Sequence, residues 1–227
     1  MAPLTNSDEF DSLQPFFSLL NVLVILVATL LGAFVAVLVL PTLTRVLFGP
    51  GVNVVWDLTR VAGLIAYGLI WWSVVFGLLI TNRMATLWPG GPAAVDLHQF
   101  TSLLGLAFSL FHAILLLADS YVPYTLLQIA LPFTSEYRPV WVGLGQIAIY
   151  LLIPVILSFY LRRGLGPTAW RLIHSGSFFA FAFITAHGLL AGSDTTNLAI
   201  LSFYALTGLS VCFLMIYRML VLTLVTN

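Results

Sequence analysis

Six stretches of the chain stay apolar for more than 20 residues, at approximately 16 to 40, 59 to 81, 93 to 118, 139 to 161, 168 to 190 and 197 to 221. A hydrocarbon core of about 30 Å takes about 20 helical residues to cross, so each stretch is long enough to span a bilayer. In lipid every backbone polar group must be satisfied internally, and none of the ten-residue alternation of a barrel is visible, so each span is predicted to be a helix. Composition agrees: 61% of the 227 residues are hydrophobic and 7% charged, where a soluble domain carries roughly 25%. The expectation is an all-α integral membrane protein, a six-transmembrane-helix bundle forming one domain over 16–221. Residues 1–15 hold three acids and no basic residue, which does not fit a secretory signal, and they read as a retained polar N-terminal tail.

Charge excludes some functions and suggests an orientation. All eight basic residues are Arg, eight acids balance them, and no run of like charge exists to hold nucleic acid. The single cysteine, Cys212, excludes an internal disulfide or a CxxC redox pair. With both termini cytoplasmic, Arg83, Arg162, Arg163, Arg171 and Arg218 fall inside, and Arg45, Arg60 and Arg138 outside. That bias favours the orientation, in a plasma membrane, and favours it more if Arg60 serves a function. The two longer connections, Pro41 to Asp57 and Asp119 to Arg138, are expected to lie as short interfacial segments.

All four histidines lie in the third and fifth predicted helices, and none lies in a loop. Each helix opens with Gly-Pro, at Gly91-Pro92 and Gly166-Pro167, with Pro suited to a first helical position. His98 and His174 follow their prolines by six and seven residues, and His112 and His187 lie 14 and 13 residues further on. At 1.5 Å per residue the members of each helix stand roughly 20 Å apart. The two helices run the same way, so His98 should meet His174 and His112 should meet His187. One detail conflicts: at about 100° per residue, 13 residues leave His187 about 140° from the face of His174. A kink at Ser175-Gly176-Ser177 would resolve it.

Imidazole suits haem iron, because one ring nitrogen donates its lone pair while the other keeps an N–H for a carbonyl. Histidines in membranes also bridge helices by hydrogen bonds or pass protons, although these helices hold almost no carboxylate to complete a relay. Zinc would need ligands gathered at one point rather than roughly 20 Å apart. A transporter would be expected to show broken helices and paired acids.

The third-helix segment VDLHQFTSLLGLAFSLFHAILLL, the fifth-helix segment WRLIHSGSFFAFAFITAHGLLAG and LTRVAGLIAYGL around Arg60 together resemble the transmembrane domain of the ferric reductase and NADPH oxidase superfamily, in particular its short bacterial members. The resemblance covers roughly residues 58 to 220. It implies two stacked b-type haems between the third and fifth helices, the inner on His98 and His174 and the outer on His112 and His187. It also implies that Arg60 stands near the outer haem, where it could pair with a propionate, and Arg171 could do the same for the inner one. Phe178, Phe179, Phe181 and Phe183 fall between the two levels, as core packing or as part of an electron path. Many relatives carry a flavin domain and a nicotinamide domain after the sixth helix, but only a few residues follow it here and no GxGxxG fingerprint is present. The implied function is transmembrane electron transfer by a cytochrome b-like oxidoreductase subunit. Its donor would be a separate flavoprotein, iron-sulfur subunit or quinol, and its acceptor ferric iron, oxygen or a protein outside. The alternative is a non-catalytic structural or assembly subunit of a larger membrane redox complex.

Overall fold

The computed structural model describes residues 15–49, 54–119 and 122–226, with side chains described up to residue 220. The predicted tail at 1–15 lies, apart from its last residue, outside the described residues. The elements in order are α1 (Leu19–Phe48), α2 (Val54–Thr81), α3 (Gly91–Leu115), the short α4 (Leu126–Ala130), α5 (Pro139–Ala191) and α6 (Leu198–Thr226). Among the described residues there is no strand. Five helices, α1, α2, α3, α5 and α6, are long and apolar enough to cross a membrane.

α5 is two rods. Gly166 takes φ 77° and ψ 164°, a conformation open to glycine, and the helix resumes at Pro167. The arms 139–165 and 167–191 then run back along one another. Arg138 Nη1 donates to the Leu190 carbonyl and Tyr137 Oη to that of Ala191, while a Cβ on Gly176 would touch Val155 at 3.6 Å. The bundle therefore has six long rods, joined at 166 by the Gly-Pro pair that the sequence marks as the start of a helix.

Contacts between neighbours give the directions. α2 and α3 are antiparallel, with Ser73 beside His98 and Thr59 beside His112. α2 and α6 are parallel, with Tyr67 bonded to Thr207, Trp71 to Ser210 and Arg218 to the Thr81 carbonyl. The core gathers Tyr67, Ile70, Val74 and Leu78 of α2 with Leu106, Leu152, Phe181, Tyr204 and Val211 from the other rods. Outward residues such as Leu172, Phe179 and Leu209 are apolar and more than 60% exposed, a surface suited to lipid rather than water. Serine and threonine hydroxyls bond back to carbonyls three or four residues earlier, as Thr59, Thr101, Ser109 and Thr207 do, which satisfies them without water.

Two boundaries differ from expectation. The first helix does not end at 40 but continues through Pro41 to Phe48, and the second begins at Val54, so little of the predicted 41–57 connection remains. Pro41 has no N–H to offer the Val37 carbonyl, yet the helix runs on through it, with Thr44 Oγ1 donating back to the Pro41 carbonyl at 3.3 Å. The second predicted connection does contain a short element, α4, closed by a Thr125–Gln128 capping box.

Candidate functional site

α3 and the second arm of α5 carry the histidines at matched depths. The His98 and His174 ring centres stand 5.9 Å apart, and those of His112 and His187 stand 6.3 Å apart, both edge-to-face. All four residues are partly buried. No kink at 175–177 is needed: within α5 the only non-helical residue is Gly166. The two rings are held differently: His187 Nδ1 bonds the Trp141 carbonyl on the first arm of α5, while Trp170, one turn before His174 on the second arm, stacks on it at 5.2 Å.

Three of the four rings are hydrogen-bonded to backbone through Nδ1. His98 meets the Ser73 carbonyl at 2.8 Å, His112 that of Thr59 at 2.8 Å, and His187 that of Trp141 at 2.9 Å. A carbonyl has no proton to give, so Nδ1 must carry the hydrogen and Nε2 keeps its lone pair. His174 differs: among the described residues its buried Nδ1 has no partner.

A cavity of about 540 Å³ adjoins the His112–His187 pair. Both histidines line it, with Gly63, Tyr67, Tyr204, Trp56, Asp57, Arg60 and Asp194 also in its wall. The segment 122–146 contributes Tyr124, Gln128, Tyr137 and Gln146. Gln146 Nε2 donates to the carbonyls of Gln128 and Ile129, both at 2.7 Å, which ties α4 to the first arm of α5. Burial pushes the Tyr124 phenol above its usual value, so it keeps its proton and donor capacity.

The structure brings Arg60 to the same cavity as His112 and His187 but gives it carboxylate partners. Its Nε donates to Asp194 Oδ2 at 2.7 Å, its Nη2 bonds Asp194 Oδ1, and Nη1 lies 3.5 Å from Asp57. Arg171 is not brought to the ring pair: it is exposed and its Nε bonds the Pro167 carbonyl at 3.2 Å, one turn back. Of the four phenylalanines between the levels, Phe181 is buried and stacks on Tyr67 at 5.9 Å, whereas Phe179 is 64% exposed.

Sequence reasoning missed Asp194, the cavity wall from 122–146 and the glycines behind the rings. The glycines left a readable signal. Gly63 and Gly77 on α2 are 14 residues apart, the spacing of His98 and His112 on the antiparallel α3.

Residues 54–194, which hold all four histidines, Arg60 and Asp194, match a family described as a domain of unknown function, DUF8596. The chain belongs to the DUF8596 family. The matched region starts where α2 starts and ends at the carboxylate that holds Arg60, so the DUF8596 domain contains both histidine pairs and the ion cluster, while α1 and α6 lie outside it. No curated protein and no solved structure matches the chain. Among the described residues no group of three or more His, Cys, Asp or Glu gathers as a bare-ion site; the DUF8596 histidines come in twos. Two imidazoles facing each other at each level could hold a cofactor that supplies its own equatorial ligands, with Nε2 as the donor atom.

Proposed function

We propose that the chain is a six-span transmembrane electron-transfer subunit carrying two b-type haems, one between His98 and His174 and one between His112 and His187. The observation that carries this reading is the pairing of histidines at two levels, with ring centres 5.9 and 6.3 Å apart. A metal–imidazole bond of about 2 Å on each side, plus roughly 1 Å from each nitrogen to its ring centre, asks for about 6 Å. Edge-to-face rings keep a similar distance without a metal, so the weight lies on the recurrence of a histidine pair at both depths of the same two helices. The Nδ1-protonated form at three histidines supports it, because it leaves Nε2 as the free donor.

Haem held between two imidazoles exchanges one electron reversibly with no open coordination position. The chain supplies the rest. Its histidines sit at two depths on α3 and α5, roughly 20 Å apart along the helices, with Tyr67 and Phe181 packed between. Its cavity beside His112 and His187 lies within the ordinary range for a cofactor-sized guest. In its wall Arg60 is the only arginine among the described residues, and its carboxylate partners fix it there; a propionate would have to share it with Asp194. With both termini cytoplasmic in a plasma membrane, the His98–His174 level is the inner one. A separate flavoprotein, iron-sulfur protein or quinol supplies electrons there, and an acceptor outside takes them.

The test is haem content and spectrum. The purified chain, expressed with adequate haem supply, is expected to bind two b haems with reduced spectra of bis-histidine ligation. A chain that folds and binds no haem overturns the reading and leaves a structural or assembly subunit in its place.

A further inference from the structure

Behind each of the three hydrogen-bonded rings the same backbone arrangement recurs. The carbonyl that accepts from Nδ1 belongs to Ser73, Thr59 or Trp141, and four residues further on stands Gly77, Gly63 or Gly145. Each of these glycines touches the ring in question. A Cβ on Gly145 would lie 2.7 Å from His187 Nδ1, one on Gly63 2.9 Å from His112 Nδ1, and one on Gly77 3.3 Å from His98 Cε1.

Helix geometry explains the recurrence. The carbonyl of residue i already accepts from the N–H of residue i+4, and only its second lone pair is free for an outside donor. Helical side chains lean toward the N-terminus, so the one at i+4 lies back over that carbonyl. Without a Cβ there, an imidazole can lie against the backbone and reach it. The fourth histidine supplies the contrast. Thirteen residues on from Gly145, matching the step from His174 to His187, the first arm of α5 has Ser158, not glycine; its hydroxyl bonds the Val155 carbonyl at 2.8 Å, and His174 Nδ1 has no partner among the described residues.

We propose that Gly63, Gly77 and Gly145 are positioning residues for metal-bound imidazoles, each opening the carbonyl four residues earlier to Nδ1–H of His112, His98 and His187. This rests on the haem reading above and adds a consequence to it. A carbonyl accepting from Nδ1–H raises the basicity of Nε2, which favours the ferric over the ferrous iron. The His112–His187 level has two such carbonyls and the His98–His174 level one.

The experiment is a potentiometric titration of the full-length, haem-loaded chain in lipid nanodiscs, followed by the two haem absorbances. The variants are Gly63→Ala, Gly77→Ala and Gly145→Ala, with Gly32→Ala as the control, since a Cβ there meets nothing within 4 Å. Each of the three is expected to raise the midpoint of one haem, by about 59 mV for a tenfold loss of ferric preference in a one-electron couple. Gly63→Ala and Gly145→Ala should move the same haem, Gly77→Ala the other, and Gly32→Ala neither. Should the closest contact, at Gly145, expel the haem, Gly77→Ala has the loosest fit and decides the matter. Wild-type protein without haem overturns the functional reading and this proposal with it. Two haems whose potentials stay put, or move together in all three variants, overturn the proposal alone.

Discussion

At the end of the bundle where α2 begins, His112 and His187 both rest on carbonyls, face a cavity of about 540 Å³ and share its wall with Arg60 and Asp194. At the other end His98 rests on the Ser73 carbonyl, Trp170 stacks on His174, whose Nδ1 has no partner among the described residues, and Arg171 turns away to its own helix. The same residue type, at matched depth on the same two helices, is thus held in two different settings. What separates them is the neighbours: α2 offers glycine at both levels, and the first arm of α5 at only one. Which histidines stand level with each other is a property of the helices that carry them, whereas what surrounds each ring is a property of the rods packed behind.

The sharpest way to break this comparison is to remove histidines two at a time and count haem by pyridine haemochrome. Replacing His98 and His174 together by Leu should lower the content from about two per chain to about one, as should replacing His112 and His187. Replacing His98 with His187 takes one ligand from each level and should leave about none. One haem surviving in that cross-level variant would show that the rings do not work as the pairs seen here.

A smaller effect separates the glycines that serve rings from those that serve helix packing. A Cβ on Gly105 would meet Ile70 Cγ1 at 2.8 Å, where α2 and α3 pack, and one on Gly188 would meet the Tyr204 ring at 2.7 Å. Gly105→Ala and Gly188→Ala are each expected to destabilise by about 1–3 kcal/mol through overpacking. Thermal unfolding in detergent should show both melting below Gly32→Ala. Equal melting of all three would mean that the rods can shift apart freely.

Smaller still is the ion cluster at the cavity. Arg60 and Asp194 are each more than a third exposed, so their pairing is screened despite two hydrogen bonds. A double-mutant cycle with Arg60→Gln and Asp194→Asn should return a coupling of about 1 kcal/mol. No measurable coupling would mean that Arg60 is free for another anion. Smallest of all, Arg171→Gln should change stability by less than about 0.5 kcal/mol, its side chain being exposed and bonded within its own turn. A change in haem spectrum on that substitution would restore Arg171 to the site.

The spans and the depth of the histidines were legible because both depend on one helix at a time. Apolar length reports a bilayer crossing, and rise per residue converts spacing along a helix into depth. The turn of α5 at Gly166-Pro167 was legible for the same reason, since φ restrictions at Gly and Pro are local. The continuation of α1 through Pro41 was not. Proline removes one hydrogen bond from a helix, and whether the helix ends or runs on is decided by packing, here of α1 on α3, rather than by the local sequence.

By itself the sequence determined an all-helical chain, apolar enough to cross a membrane, with His98 level with His174 and His112 level with His187. Only the tertiary structure decided what stands beside those rings. That Asp194 meets Arg60 across 134 residues, that Gln146 ties down α4, and that Gly63, Gly77 and Gly145 open carbonyls to three imidazoles all depend on which rods pack together and how each is rotated. Rotation about a helix axis is set by the sum of contacts with neighbouring rods, so depth can be read from one helix and facing cannot. The 13-residue step from His174 to His187 shows the limit: taken alone it predicts a kink, and in the packed bundle the arm 167–191 is regular helix with both rings beside their partners on α3.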